Sequence, residues 1–270
     1  MKRITDIAEL RKVQTGILDD IHRFCTANGI MYFLSCGTLI GAVRHKGYIP
    51  WDDDLDLYMP RKDYDRFVKL YTDAGGRYRV LDPKKEKNYF YTFAKVVDTR
   101  TLLVETETEG YQIGVYVDIF PVDYVSDNEA ERQRIFKRKR LLYKIRRCKI
   151  SKRNYLKSAL AYYCYKMLPV TVGMLNGMIE RMVVRREPTN TVANMTEAGP
   201  SVKGCMPAKG HRGPTLTLSL REKLYKTMAG YKDYLSRTYG DYMKLPPVDQ
   251  RVTRQLRGLL DRRQRAERRR

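Results

Sequence analysis

The spacing of apolar residues changes several times along residues 1–125, and these changes predict the order of helices and strands. Apolar residues recur at helical spacing over residues 5–28, and Asn28 and Gly29 end this run. Next are predicted a buried strand at 30–37, a short helix at 38–47, a strand at 54–60 and a helix at 61–75. Alternating runs then predict four more strands, at 78–82, 89–98, 101–106 and 114–125.

The second half of the chain has a different pattern. Residues 127–187 show helical spacing, whereas residues 188–221 are rich in Thr, Pro and Gly and predict irregular structure. A short helix is predicted at 231–243. This order favours an α/β or α+β fold, in which helices flank a mixed β-sheet core. We divide the chain into a core at 1–126, a helical and irregular region at 127–250, and an Arg-rich tail at 251–270 that is predicted to be disordered.

The net charge of +22 indicates an anionic partner, which is nucleic acid, a membrane surface or a phosphorylated substrate. Basic residues are concentrated at 132–153 and in the tail, which holds nine arginines against two acids. At 132–153 a solvated basic helix face explains the pattern equally well.

Signals for export, for disulfides and for a zinc site are missing from the sequence. No apolar run approaches the roughly 20 residues that a membrane-spanning helix needs. The charged start has no apolar core of a signal peptide, so we expect a cytoplasmic protein. The five cysteines include no C-x-x-C pair and the three histidines lie far apart, which argues against disulfides and a zinc site.

Four acids occupy positions 52–56 within the stretch LSCGTLIGAVRHKGYIPWDDDLDLYMP. In a strand, Asp54 and Asp56 would point to the same side, and two neighbouring carboxylates favour a divalent cation between them. Oxygen ligands suit Mg²⁺ or Mn²⁺, which typically bridges the phosphates of a nucleotide. Asp52 and Asp53 precede the alternation and are interpreted as outer ligands or loop acids. The alternative is an Asp-rich turn with ordinary helix capping.

The residues before these acids supply groups that bind phosphate. Gly37 and Thr38 stand at the predicted end of a strand and start of a helix, where backbone N–H groups attract phosphate. Arg44, His45 and Lys46 follow one or two turns later and add positive charge. A phosphate-binding turn, basic residues and metal-binding acids in one short stretch are typical of phosphoryl or nucleotidyl transfer.

A third acid lies in a later predicted strand. In the segment GVYVDIFPVD, Asp118 shares a face with Tyr116 and Phe120, which is a poor place for a purely structural carboxylate. We therefore predict a catalytic role for Asp118 and a turn position for Asp123. Lys95, in the segment FAKVVD, is interpreted either as a phosphate contact or as part of a structural ion pair.

The run FLSCGTLIGAVRHKGYIPWDDDLDLYMPRKDYDRF resembles the signature of the LicD family, the phosphocholine-transferase relatives within the nucleotidyltransferase superfamily. The segments FAKVVDTRT, VYVDIFPVD and YLSRTYGDYMKLPP resemble its later motifs, in the expected order. The resemblance implies a nucleotidyltransferase-type mixed sheet. By this resemblance Asp54, Asp56 and Asp118 form the metal and catalytic site, where Asp118 completes the metal site or takes the proton of the acceptor hydroxyl.

The resemblance also implies a substrate class. Family members move a phospho-alcohol, typically phosphocholine from CDP-choline, onto a sugar of teichoic acid, lipopolysaccharide or capsule, and fukutin-type relatives use CDP-ribitol. Expected partners are therefore a CDP-alcohol donor and a glycan or lipid-linked glycan acceptor. A choline group would need an aromatic cage. Trp51 is the best-placed contributor, and a packing role fits it equally well.

Three alternatives stay open. Region 127–250 is assigned to acceptor recognition or to docking on the anionic inner face of a membrane, whereas two core helices joined near Leu168 and Pro169 are the other interpretation of residues 155–186. The enzyme could instead be a nucleotidyltransferase that uses an NTP. A nucleic-acid-binding protein is less favoured, because it would not need the residues at 34–60.

Overall fold

The computed structural model describes residues 2–4, 6–72, 75–86, 89–104, 112–150, 158–185, 187–196, 204–209 and 215–251. Its strands are β1 (Lys2–Arg3), β2 (Phe33–Leu34), β3 (Asp56–Pro60), β4 (Tyr78–Leu81), β5 (Ala94–Asp98), β6 (Thr101–Val104), β7 (Gln112–Ile113), β8 (Tyr116–Val125), β9 (Thr191–Asn194), β10 (Met206–Pro207), β11 (Thr215–Leu220) and β12 (Lys223–Met228). Its helices are α1 (Ile7–Ala27), α2 (Cys36–Ile40), α3 (Arg61–Leu70), α4 (Glu129–Ile150), α5 (Ala159–Met167), α6 (Val172–Val183) and α7 (Tyr231–Tyr239). A π-helical turn (Gly41–His45) continues α2, and a 3₁₀ turn (Val248–Gln250) follows α7.

A mixed sheet of seven strands lies at the centre of the described residues. Its longest strand, β8, pairs in parallel with β3 along one edge. The other edge of β8 pairs antiparallel with β5 along its first half and with β9 along its second half. β8 is buried along nearly its whole length, as expected for an apolar strand covered on both faces. The predicted fold class, a mixed sheet flanked by helices, is therefore confirmed.

Helix α1 covers the sheet with the apolar side that its sequence predicts. The Asp6 carboxylate caps the helix by accepting a hydrogen bond from the backbone N–H of Glu9 (2.9 Å). Its fully buried apolar residues recur at helical spacing and include Leu10, Ile17 and Ile21. A second core forms between α4, α6 and β9, around Phe136, Tyr143, Leu175, Ile179 and Ala193. None of the helices in the described residues is long and apolar enough to span a bilayer.

The prediction of irregular structure at 188–221 is wrong for three strands. β9 and β10 join the central sheet, and β11 forms a hairpin with β12. β11 has the alternating sequence TLTLSL, but it is short and directly follows a Pro- and Gly-rich run, which favours the prediction of irregular structure. The described C-terminal residues therefore contribute strands to the central sheet, and the division of the chain at residue 126 stays a prediction.

A buried ion pair joins α3 to β8. The Nε and Nη2 atoms of Arg61 donate to the two carboxylate oxygens of Asp123, at 2.6 and 2.7 Å. The Asp123 side chain is fully buried. The predicted turn position of Asp123 is wrong, because Pro121 lies inside β8 and does not end the strand.

Replacing Arg61 with methionine is expected to lower the free energy of unfolding by about 3–5 kcal/mol, because Asp123 would remain buried without its counter-charge. Urea denaturation would measure this loss. The double variant Arg61→Met/Asp123→Asn should recover most of the stability. Lys62→Met, at an exposed position of the same helix, is the matched control and should change stability by less than about 0.5 kcal/mol. Equal losses in Arg61→Met and Lys62→Met would contradict the interpretation.

Candidate active site

Two acids lie side by side on neighbouring parallel strands. Asp56 begins β3, and the register of β3 and β8 places it directly beside Asp118. Paired residues on adjacent strands present their side chains to the same face, about 4.8 Å apart across the ladder. Each of the two residues is only 9% exposed. Two carboxylates this close and this poorly hydrated repel each other, so the pair requires nearby positive charge.

Lys95 supplies positive charge to this acid pair. β5 borders β8 on the edge opposite β3, and its register places Lys95 beside Asp118. The Lys95 ammonium donates to Oδ1 of Asp118 at 2.5 Å, and its side chain is 1% exposed. It also lies 3.4 Å from the centroid of the Tyr116 ring and 4.0 Å from that of Tyr91. Of the two interpretations of Lys95, this geometry corresponds to the ion pair.

The loop before β3 carries the remaining acids. The predicted strand is two residues too long, because β3 begins at Asp56 and Asp54 lies in the preceding loop. Burial raises the pKa of Tyr48, and the negative charge of Asp54 adds to this rise, so the two side chains are near each other. Asp53 is buried, at 1% exposure. Asp54 therefore lies in the loop near Tyr48, and its membership of a metal site with Asp56 and Asp118 stays a prediction.

Helix α1 holds this acidic loop in place. Nη2 of Arg11 donates to the backbone carbonyls of Ile49 (2.9 Å) and Asp52 (2.6 Å). Nε2 of Gln14 donates to the carbonyl of Asp53 (2.9 Å), and Gln14 is fully buried. Neither residue is among the site residues that the sequence predicts. Gln14 could have been found, because it is a polar residue on the apolar side of α1.

The predicted phosphate-binding turn contacts the acids directly. Oγ1 of Thr38 accepts a hydrogen bond from the backbone N–H of Asp56 (2.8 Å), so this hydroxyl fixes the start of β3. A Cβ added to Gly37 would lie 2.4 Å from Oδ2 of Asp52. Only glycine therefore lets the Asp52 carboxylate lie against the first turn of α2. A phosphate-binding role for Gly37 and Thr38 stays a prediction.

The three basic residues that follow are bound to the C-terminal part of the chain. The Arg44 guanidinium donates to the carbonyl of Tyr242 (2.6 Å) and, through Nε, to Nε2 of His45 (2.9 Å). Burial, and then the charge of Arg44, lower the pKa of His45, so its imidazole is neutral at pH 7. The carbonyl of Lys46 accepts a hydrogen bond from the backbone N–H of Arg221 (2.7 Å). Phosphate binding by these residues stays a prediction.

Trp51 contacts His45 and Arg251. Its ring contacts His45 edge-on, with ring centroids 6.1 Å apart. The guanidinium carbon of Arg251 lies 5.1 Å from the centroid of the Trp51 ring. The guanidinium of Arg251 therefore lies against one face of Trp51, and a role for Trp51 in binding choline stays a prediction.

Hydroxyl groups from a distant helix border the acid pair. Tyr58 lies two residues after Asp56 on the same face of β3, and Tyr234 of α7 donates to its hydroxyl at 3.3 Å. Sγ of Cys36, a residue in the left-handed region at φ 48°, lies 3.5 Å from the hydroxyl of Tyr58. Burial raises the pKa of Tyr234 and of Tyr239, so both phenols stay protonated at neutral pH. No sequence signal placed α7 here, because the contact is purely tertiary.

The acid pair supplies some, but not all, of the ligands that a hard divalent cation requires. Among the described residues, no three acidic, His or Cys side chains are grouped as a complete metal site requires. Asp56 and Asp118 nonetheless offer facing carboxylates, which are the oxygen donors that Mg²⁺ or Mn²⁺ prefers. Lys95 neutralises one of their two negative charges. Asp54, in the loop before β3, is the remaining candidate ligand.

Comparison with known proteins agrees with this architecture. Residues 29–159 match the family model described as LicD/FKTN/FKRP, nucleotidyltransferase domain. The chain is 30% identical over 260 residues to the lipopolysaccharide cholinephosphotransferase LicD of Haemophilus influenzae, and this alignment covers 92% of the chain and 95% of that protein. It is 29% identical over 113 residues to protein RT0683 of Rickettsia typhi, over 42% of the chain and 35% of that protein. It is also 29% identical over 122 residues to mouse ribitol 5-phosphate transferase FKRP, over 45% of the chain and 18% of that protein.

Residues 29–159 are therefore similar to a nucleotidyltransferase domain, and the mixed α/β sheet is consistent with that class. More narrowly, the chain belongs to the LicD family, because its similarity to the Haemophilus protein extends over nearly the whole length of both chains.

Proposed function

We propose that this chain is a transferase that moves a phospho-alcohol, in the first instance phosphocholine from CDP-choline, onto a sugar hydroxyl of a cell-surface glycan. The name of the Haemophilus relative supports phosphocholine as the group and lipopolysaccharide as the acceptor. The name of the mouse relative supports the wider class of phospho-alcohols. The structural observation that carries the proposal is the buried pair of Asp56 and Asp118 with Lys95 beside it.

The residues of the candidate active site have separate roles in the reaction. The acceptor hydroxyl attacks the phosphorus that bears the alcohol, the bond from that phosphorus to the oxygen of CMP breaks, and CMP leaves. The hydroxyl proton passes to Asp118 or, where Asp118 serves as a metal ligand, to solvent. Lys95 holds the Asp118 carboxylate in position through their 2.5 Å contact.

Asp54 and Asp56, with Asp118, are the residues that would hold Mg²⁺ or Mn²⁺. A divalent cation bound there would neutralise charge on the donor diphosphate and on the leaving CMP. Catalysis is then mainly positioning and charge neutralisation, so a covalent nucleophile is not needed.

The test is a panel of activated donors incubated with the purified chain and Mg²⁺: CDP-choline, CDP-ethanolamine, CDP-ribitol, CDP-glycerol, ATP and UTP, each with a lipopolysaccharide acceptor. We expect CMP release from CDP-choline, loss of that release in Asp54→Asn and in EDTA, and full release in Asp249→Asn, an exposed acid far along the chain. Release of pyrophosphate from ATP or UTP would replace the proposal with the nucleotidyltransferase alternative, which the name of the matched domain favours. No metal-dependent binding of any of these nucleotides would overturn both.

Gly37→Ala is expected to lower the rate of transfer about a hundredfold, since a misplacement of about 1 Å at a reacting centre has effects of that size. The added methyl group must displace the Asp52 carboxylate, which lies 2.4 Å from the position of the new Cβ. The fold should tolerate the change, because the obstacle is the end of a side chain and not backbone. Gly177→Ala, where a Cβ would come no nearer than 4.0 Å to Nη2 of Arg181, is the control for activity. Initial rates of CMP release and thermal unfolding measure the two effects, and unchanged rates in Gly37→Ala would contradict a role for this turn.

A further inference from the structure

Large apolar side chains are exposed along α5, the following turn and the start of α6. They are Leu160 (76% exposed), Tyr163 (48%), Met167 (81%), Leu168 (40%), Met174 (53%) and Met178 (45%). On α5, residues 160, 163 and 167 follow helical spacing and therefore share one face. On α6, residues 174 and 178 are one turn apart. Exposed apolar surface of this extent on a folded protein usually marks a binding surface.

The exposed face is separate from the residues that pack in the core. The opposite sides of these helices bury Tyr162, Leu175, Ile179 and Val183, and both helices pack against α4. The segment from residue 158 to residue 179 contains Lys166 as its one charged residue. We call the six exposed side chains the apolar face of α5 and α6. Residues 159–183 thus form two helices joined at Leu168 and Pro169, as one interpretation of this segment predicts, and each helix has one buried side and one exposed side.

Helix α4, which packs against both helices, carries the strongest basic charge of the described residues. Its exposed cations are Arg134, Lys137, Arg138, Arg140, Lys144 and Arg147. Its two acids, Glu129 and Glu131, both lie in the first turn. Leu141, 46% exposed, lies among these cations. An apolar face thus adjoins a helix whose exposed side is almost entirely positive.

We propose that the apolar face of α5 and α6, together with the basic side of α4, docks this protein onto the surface of an anionic lipid bilayer. Apolar side chains would enter the boundary between headgroups and acyl chains, while Lys and Arg contact anionic headgroups. A second copy of the chain fits this surface less well, because two such positive surfaces would repel each other across a symmetric contact. The inference does not depend on the proposed chemistry, since neither helix carries a residue of the candidate active site.

The test is sedimentation of the full chain with two kinds of vesicle, phosphatidylcholine alone and an equimolar mixture of phosphatidylcholine and phosphatidylglycerol. We expect binding to the mixed vesicles, weaker binding as salt rises, and little binding to phosphatidylcholine alone. The double variant Leu160→Ser/Met167→Ser should bind the mixed vesicles at least about tenfold more weakly, because each buried CH₂ strengthens such anchoring severalfold. Lys137→Glu/Arg138→Glu should weaken binding by a similar factor and make the remaining binding less dependent on salt, because fewer cations contact the headgroups.

Matched controls distinguish vesicle binding through this surface from vesicle binding through the positive charge of the whole chain. Leu216→Ser/Leu224→Ser removes two exposed leucines from the β11–β12 hairpin, and Lys62→Glu/Lys69→Glu removes the same charge from α3. Both controls should retain binding to within about twofold, the effect expected of surface changes outside the site. The apolar variant is decisive, because it leaves the net charge of the chain, including the Arg-rich tail, unchanged.

Three results would overturn the proposal. The first is absence of binding to the mixed vesicles, and the second is equal loss in the α5 variant and the hairpin control. The third is a dimer in light scattering that Leu160→Ser/Met167→Ser dissociates, which would assign this face to self-association. The release of CMP with a water-soluble glycan acceptor should be unchanged in Leu160→Ser/Met167→Ser, so failure of this proposal and failure of the proposed function give different results.

Discussion

Replacing Asp56 with asparagine is expected to lower the rate of phospho-alcohol transfer by about a thousandfold or more. A bound cation typically contributes several kcal/mol to stabilising the transition state, and about 1.4 kcal/mol corresponds to tenfold in rate. Asparagine has nearly the same shape, and the backbone N–H of Asp56 keeps its hydrogen bond to Thr38. The substitution therefore changes charge at the site and little else.

The thermal stability of Asp56→Asn distinguishes loss of a metal ligand from a simple folding defect. Asp56 and Asp118 are neighbours in the register and both are nearly buried, so removing one charge relieves repulsion in the absence of a divalent cation. Without divalent cations, Asp56→Asn should unfold at the same temperature as the wild type or at a higher one. Added Mg²⁺ should raise the unfolding temperature of the wild type and leave that of the variant nearly unchanged. A variant that loses activity because it is destabilised without Mg²⁺ would contradict this explanation.

Replacing Lys95 with methionine is expected to have the second large effect, because it lowers both the stability and the activity of the protein. Methionine keeps much of the volume of the buried side chain but leaves Asp118 and Asp56 facing each other without the ammonium group. Removing one partner of a buried ion pair typically costs about 3–5 kcal/mol of unfolding free energy. Transfer should fall at least about a hundredfold, because Asp118 loses the contact that positions its carboxylate.

Two further variants test the assignment of Lys95. The double variant Lys95→Met/Asp118→Asn should recover most of the lost stability but none of the activity, since the repulsion is gone and the catalytic carboxylate is missing. Lys139→Met is the matched control, because Lys139 is also 1% exposed but lies on α4, beside the rings of Phe136 and Tyr143. Added Mg²⁺ should restore stability to Lys95→Met and not to Lys139→Met. Equal Mg²⁺ responses in these two variants would show that Lys95 has no special relation to the acid pair.

Part of the candidate site could be predicted because alternation in a strand is a local property. The period of two placed Asp118 on one face of its strand, and the apolar neighbours of Asp118 marked it as an unusual acid. The partnership between Asp118 and Lys95 could not be derived in this way. It depends on the register between β5 and β8, which is set by packing of the whole sheet.

The same limit explains the errors in the fold. The predicted start of β3 is two residues too early, because the acidic run before the strand alternates in sequence whether or not it pairs with a neighbouring strand. The sequence predicts a turn at Asp123 because a proline such as Pro121 usually ends a strand. The proline lies within β8, however, and Asp123 is buried against Arg61. Strand β11 alternates in sequence, but the Thr, Pro and Gly content of residues 188–221 as a whole favours irregular structure. The role of Tyr234 depends on a contact between elements far apart in the chain.

The measurement that tests the central claim most directly is the mass of the acceptor after reaction. Purified lipopolysaccharide that lacks phosphocholine would be incubated with CDP-choline, Mg²⁺ and either the wild-type chain or Asp56→Asn, and both the glycan and the nucleotide products would be analysed by mass spectrometry. We predict that the wild-type chain adds one phosphocholine group for each CMP released, and that Asp56→Asn adds none while still folded. Equal addition by Asp56→Asn, or nucleotide attached to the glycan in place of phosphocholine, would contradict the account.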